Sequence, residues 1–106
     1  MIECFIKYNN DNIISILIQG HAQYSGSNDI VCSSVSTAII VTVNAIELLN
    51  LKNKISFKLK KGYFKLILLK SNLIVNKLLQ NLKYTLKDLS QQYQTCLKVK
   101  LIKNTN

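Results

Sequence analysis

The stretch Gly20-His21-Ala22-Gln23-Tyr24-Ser25-Gly26-Ser27-Asn28-Asp29-Ile30-Val31-Cys32-Ser33-Ser34-Val35-Ser36 decides how the chain folds. Before it lies a strand-like apolar run, Ile13 to Ile18, and after it a long apolar segment with helical periodicity. The polar, glycine-containing piece between them therefore reads as a loop that feeds a helix, a place where catalytic groups concentrate. It contains the chain's only histidine, His21, and one of its three cysteines, Cys32.

These two residues have a chemical logic at this spacing. With Asp29 as helix N-cap, Ile30 and Val31 are the first helical positions and Cys32 falls in the first turn, beside unpaired backbone N–H groups. A free thiol titrates near about 8.5, and a helix N-terminus or an imidazolium lowers that to roughly 3.5–7.5, making a nucleophile at neutral pH. The ten residues between His21 and Cys32 are enough to fold back and bring imidazole to sulfur. The same N–H groups could hold an oxyanion. Asp29 either caps the helix or orients His21. The plainer alternative is a buried structural cysteine and an unrelated loop histidine.

The run Gly20, His21, Ala22, then a short glycine-containing loop, then Asp29, Ile30, Val31, Cys32 and Ser36 resembles the bacterial ribosomal-processing cysteine proteases, the Prp family. The resemblance extends over essentially the whole chain in length and order of elements. Ser33 and Ser34 stand where that family usually has small apolar residues, and Gly26 is the loop's only glycine where relatives often have more. The resemblance implies a Cys-His dyad, with Cys32 as nucleophile, His21 as base and then acid, and Asp29, Ser36 and Gly20 in support. It implies a mobile substrate loop over Ala22, Gln23, Tyr24, Ser25, Gly26, Ser27 and Asn28, no cofactor, and a homodimer. The implied substrate is the N-terminal leader of large-subunit ribosomal protein twenty-seven.

Upstream of this stretch, Ile2 to Tyr8 alternates as a strand, and Asn9-Asn10-Asp11-Asn12 turns it into a second strand over Ile13 to Gln19. Cys4 is a packing residue on one sheet face. Downstream, Ile30, Val35, Ala38, Ile39, Thr42, Val43, Ile46 and Leu49 form a helical stripe running to about Asn50, with a small, polar and uncharged opposite face. After a break at Leu51-Lys52-Asn53, Lys54 to Lys60 alternates as a half-wet strand. Lys61-Gly62 makes a turn, and Tyr63 to Leu69 returns. Ser71 or Asn72 caps a second helix with the seam Val75, Leu79, Leu82, Leu86 and Leu89, and Gln94 to Ile102, containing Cys96, is the last strand.

The expected fold is one α/β (α+β) two-layer domain over residues 1–106, in the order β-β-α-β-β-α-β, with a mixed sheet and two helices. Without its first strand the order is the split β-α-β-β-α-β of ferredoxin-like and RNA-recognition domains. That parentage, with a formal charge of +9 from lysine and no arginine, supplies the rival reading, a non-catalytic ribosome- or RNA-associated module. The segment Lys61 to Ile67 echoes an RNA-recognition strand, but Tyr63 and Phe64 are adjacent and so point to opposite faces, and the strand Ile13 to Gln19 has no aromatic residue. Specific nucleic-acid recognition is therefore not expected, whereas weak electrostatic attraction to ribosomal material is.

Other classes drop out on spacing. Cys4, Cys32, Cys96 and His21 have no metal-ligand spacing, and Gly20, Gly26 and Gly62 make no phosphate or dinucleotide loop. The uncharged run Ile30 to Ile46 is broken by serine, threonine and asparagine, as suits a core helix and not a membrane span. The N-terminus lacks a signal-peptide pattern, and three cysteines do not make a disulfide framework, so a cytoplasmic location is expected.

Overall fold

Apolar residues alternate along each strand, and both helices carry an apolar stripe, so all of these faces can be buried together on one side of a sheet. A computed structural model shows that arrangement, describing the backbone at residues 1–20 and 26–104 and side chains at 1–20 and 30–104. The elements are β1 (Ile2–Asn9), β2 (Asn12–Gln19), α1 (Gly26–Leu48), β3 (Ile55–Lys60), β4 (Tyr63–Leu68), α2 (Leu73–Gln92) and β5 (Leu97–Lys103). They form the expected β-β-α-β-β-α-β order and a mixed five-stranded sheet, β3-β4-β2-β1-β5. β1 pairs antiparallel with β2 and parallel with β5. Relative to the split arrangement, β1 is an extra strand inserted between β2 and β5.

The core is filled from both layers. Cys4, Ile6, Ile16, Leu66 and Phe64 on the sheet meet Val31, Ile39 and Ile46 of α1 and Val75, Leu79 and Leu86 of α2, all nearly or fully excluded from solvent. Ile13 and Ile16 are both buried although an odd number of residues apart, which a regular strand forbids. The explanation is a shift of register opposite Lys7 and Tyr8. Ser15 faces Lys7 and Ile13 faces Tyr8, so Ile14 is the extra residue of a bulge and both isoleucines point inward.

Helix ends follow local chemistry. Asn72 caps α2, its Oδ1 accepting from the Val75 amide at 2.9 Å. At the end of α1, Asn50 takes φ 60°, the Asn50 amide donates to the Glu47 carbonyl at 2.9 Å and the Leu51 amide to that of Ile46 at 3.0 Å. This paired closure satisfies two otherwise orphaned carbonyls and turns Leu51 back against the core.

Three local expectations are corrected. α1 starts at Gly26, so Asp29 lies inside the helix and is not its N-cap, and Gly26, Ser27 and Asn28 are helical and not loop. The stripe of α1 runs through Val31, with Ile30 54% and Leu49 49% exposed. Thr42 is buried as expected, its hydroxyl donating to the Ala38 carbonyl at 2.8 Å. β5 starts at Leu97, and Cys96 lies in the preceding turn, where its amide donates to the Tyr93 carbonyl at 2.9 Å. In the strand, Cys96 would share the parity of Lys98 and face away from the core; the turn lets it be buried.

Candidate active site

Cys32 is the seventh residue of α1, in its second turn, half-buried and packed against the core. Its side of the helix faces the end of β2 and the turn between β3 and β4. Between them lies a cleft of about 450 Å³ whose wall includes Cys32, Ser36, Gly20, Gly62 and Tyr63, with Ile18, Ile39 and Phe64 toward its base. Ser36 follows Cys32 by one helical turn, which is why both reach the same cleft. Lys60 and Lys61 give the rim positive charge, and the Lys60 ammonium sits 5.2 Å from the centre of the Tyr63 ring.

Gly20 holds this end of the site together. Its amide donates to the Gly62 carbonyl at 3.1 Å, tying the exit of β2 to the β3–β4 turn. Its φ is +116°, and a Cβ there would run into the Met1 carbonyl oxygen and come within 3.1 Å of Ile2 Cα. Only glycine fits both the dihedral and the space. Gly20 is therefore a fixed point on the cleft rim.

The structure brings together Gly20, Cys32 and Ser36 of the expected site. His21 and Ala22 to Ser25 lie outside the described residues, as do the side chains of Gly26 to Asp29. The start of α1 at Gly26 changes the electrostatic argument. The first-turn N–H groups belong to residues 26–29, a turn ahead of Cys32, so the structure does not place them beside the thiol as an oxyanion site. Ser33 and Ser34 do not face the Cys32 cleft. They line a separate groove between α1 and α2, where the Ser34 hydroxyl donates to the Ile30 carbonyl at 2.9 Å.

The other two cysteines are unlike Cys32. Cys4 is fully buried, and burial pushes its thiol from an ordinary 9.0 up to about 12, while Cys96 is 7% exposed. A larger cleft of about 680 Å³ lies at the other end of the domain, between the β1–β2 turn and α2, but among the described residues its lining has no cysteine. Sequence reasoning missed the contribution of Lys60 to Tyr63. The signal for a turn was present at Lys61-Gly62, but its place beside Cys32 depends on β4 pairing with β2, a long-range choice that no local pattern specifies.

In this α+β domain a half-buried thiol on a core helix is thus set in a cleft walled by a strand end and a hairpin turn, a place where a thiol nucleophile can meet a substrate. The family described as cysteine protease Prp matches residues 1–98, and the chain belongs to that family. This decides for the enzyme over the non-catalytic module.

Solved structures agree in fold. The chain is similar to SMU.848 from Streptococcus mutans, with 25% identity, a TM-score of 0.84 and coverage of 98% of this chain and 96% of that one. It is similar to the S. aureus ribosomal processing protease Prp with a covalently linked product peptide, at 22% identity and TM-score 0.83, covering 95% of this chain and 99% of that one. The same S. aureus protease with a substrate peptide gives 21% identity and TM-score 0.84, again over 95% and 99% of the two chains. No curated protein matches the sequence.

Proposed function

We propose that this cysteine protease is an endopeptidase that removes the N-terminal leader of a ribosomal protein, large-subunit ribosomal protein twenty-seven, by acyl transfer through Cys32. The observation that carries the proposal is the position of Cys32 in the cleft beside Gly20, in a chain matched to the Prp proteases over residues 1–98. Support for the substrate comes from the fold shared with a protease described as ribosomal-processing and solved with substrate and product peptides.

In the proposed reaction His21, the residue after Gly20, takes the thiol proton. The sulfur of Cys32 bonds to the scissile carbonyl carbon, and the carbon–nitrogen bond breaks as His21 returns the proton to the leaving amine. Water then attacks the thioester, His21 again taking a proton, and releases the acid and the free thiol. Ser36 and Asp29 are supporting residues, one turn after and three residues before Cys32 on α1. The enzyme acts as a homodimer in the cytoplasm, a state that sedimentation of the purified protein checks.

Cys32→Ala and His21→Ala each abolish cleavage of a peptide spanning the leader junction while leaving the urea unfolding midpoint close to that of the parent protein. Turnover retained by either purified variant would refute the dyad. Turnover of unrelated peptides with equal efficiency would refute the substrate.

A further inference from the structure

Both helices pack on the same face of the sheet, and among the described residues nothing covers the other face. The strand register fixes what that face displays. Phe5 and Leu17 are cross-strand partners at its centre, each half-buried and flanked along its strand by residues of the core. On one side Leu17 pairs with Lys65, and Lys65 pairs with Lys58. On the other, Phe5 pairs with Lys100, whose ammonium lies 5.3 Å from the ring centre. In this row an aromatic and aliphatic centre is bordered by exposed lysines at both ends, and the adjoining rows of the face add Lys7 on one side and Lys60 and Lys98 on the other.

Two features point to a ligand of opposite charge. Lys58 and Lys65 are directly opposed like charges, a pairing that destabilises a sheet and that the fold itself does not neutralise. The only salt bridge on this face among the described residues is Lys100 to Glu3, at 3.3 Å. A second copy of the chain would set lysines against lysines and so does not suit the face. A polyanion with flat apolar groups does, because its charges meet the borders and its rings meet Phe5.

We propose that the uncovered face of the sheet is a sequence-tolerant platform for single-stranded RNA, separate from the Cys32 cleft. Lysines supply phosphate contacts without reading bases, as suits binding that is insensitive to sequence. The platform goes beyond the protease activity and does not depend on it, since its test involves no cleavage.

The test uses a fluorescent single-stranded oligouridylate and the full chain at low salt. Lys58→Glu replaces the opposed lysines with an opposite-charge pair, so the urea midpoint is expected to hold or rise while RNA affinity falls about tenfold. Lys87→Glu, on the exposed side of α2, makes the same change in net charge and is expected to weaken binding much less. Phe5→Leu keeps an apolar side chain but removes the ring, and is expected to weaken binding several-fold. No binding by the parent protein would overturn the proposal. So would equal losses in Lys58→Glu and Lys87→Glu, or equal affinity for polyglutamate of matching charge.

Discussion

Gly20→Ala tests whether the cleft is built on one backbone position. Gly20 has φ +116°, and an added Cβ would meet the Met1 carbonyl and Ile2 Cα. Holding an alanine at such a dihedral costs about 1–3 kcal/mol before any clash. The clash cannot be relieved by a side-chain rotation, because the obstacle is backbone. To escape it, the start of β1 must move, and the Ile2 amide is bonded to the Cys96 carbonyl at 2.8 Å. Alternatively Gly20 itself must shift and loosen its bond to Gly62. The combined cost comes to about 2–4 kcal/mol, which for a domain of this size corresponds to a fall in Tm of roughly 10–20 °C. Urea and thermal unfolding of the variant measure it directly. A peptide assay below the new Tm should also show a reduced kcat/KM, since His21 follows directly. An unfolding midpoint equal to that of the parent would refute the strained-glycine account.

Two further predictions concern the thiols. With a soluble alkylating reagent in the folded protein, Cys32 should react first, and Cys4 and Cys96 only as fast as the domain opens; equal rates for all three would contradict the burial pattern. Cys4 also gives the fold an alkaline weakness. Its folded thiol is held neutral to about 12 while the unfolded chain ionises from 9.0, so the unfolded state binds fewer protons in that window. The Cys4 contribution is therefore complete below 9.0 and is lost as pH rises toward 12, at about 1.4 kcal/mol per pH unit. The stability gap between parent and Cys4→Ala should shrink accordingly between about pH 9 and about pH 11, and a constant gap would show that the thiol is not desolvated.

The order of elements was legible because each carries its own period. The seam Val75, Leu79, Leu82, Leu86 admits only a helix, and Ile2, Cys4, Ile6 only a strand. The start of α1 was not legible, since Ser25, Ser27, Asn28 and Asp29 are all residue types that cap helices, and the local signal does not choose among them. The phase of its stripe was ambiguous for a similar reason, because Ile30 and Val31 are both apolar and only packing decides which is buried. Of the residues lining the cleft, Cys32, Ser36 and Gly20 could be singled out from local sequence. The opposite wall was not, as it is assembled by pairing β4 with β2 across more than forty intervening residues.

The parallel pairing of β1 with β5 gives the domain an order of assembly. Ile2 lies against Leu97 and Tyr8 against Lys103, so the earliest strand to leave the ribosome waits for the last before its outer edge is closed. Until residue 97 has emerged, β1 exposes unpaired amides and carbonyls on that side, a state prone to mispairing. Ile2 also stands at the Cys32 cleft, so the wall that confines a substrate depends on the same late pairing. A growing chain thus carries Cys32 long before it carries a finished cleft, and a confined space around that thiol arrives with β5 and not with α1.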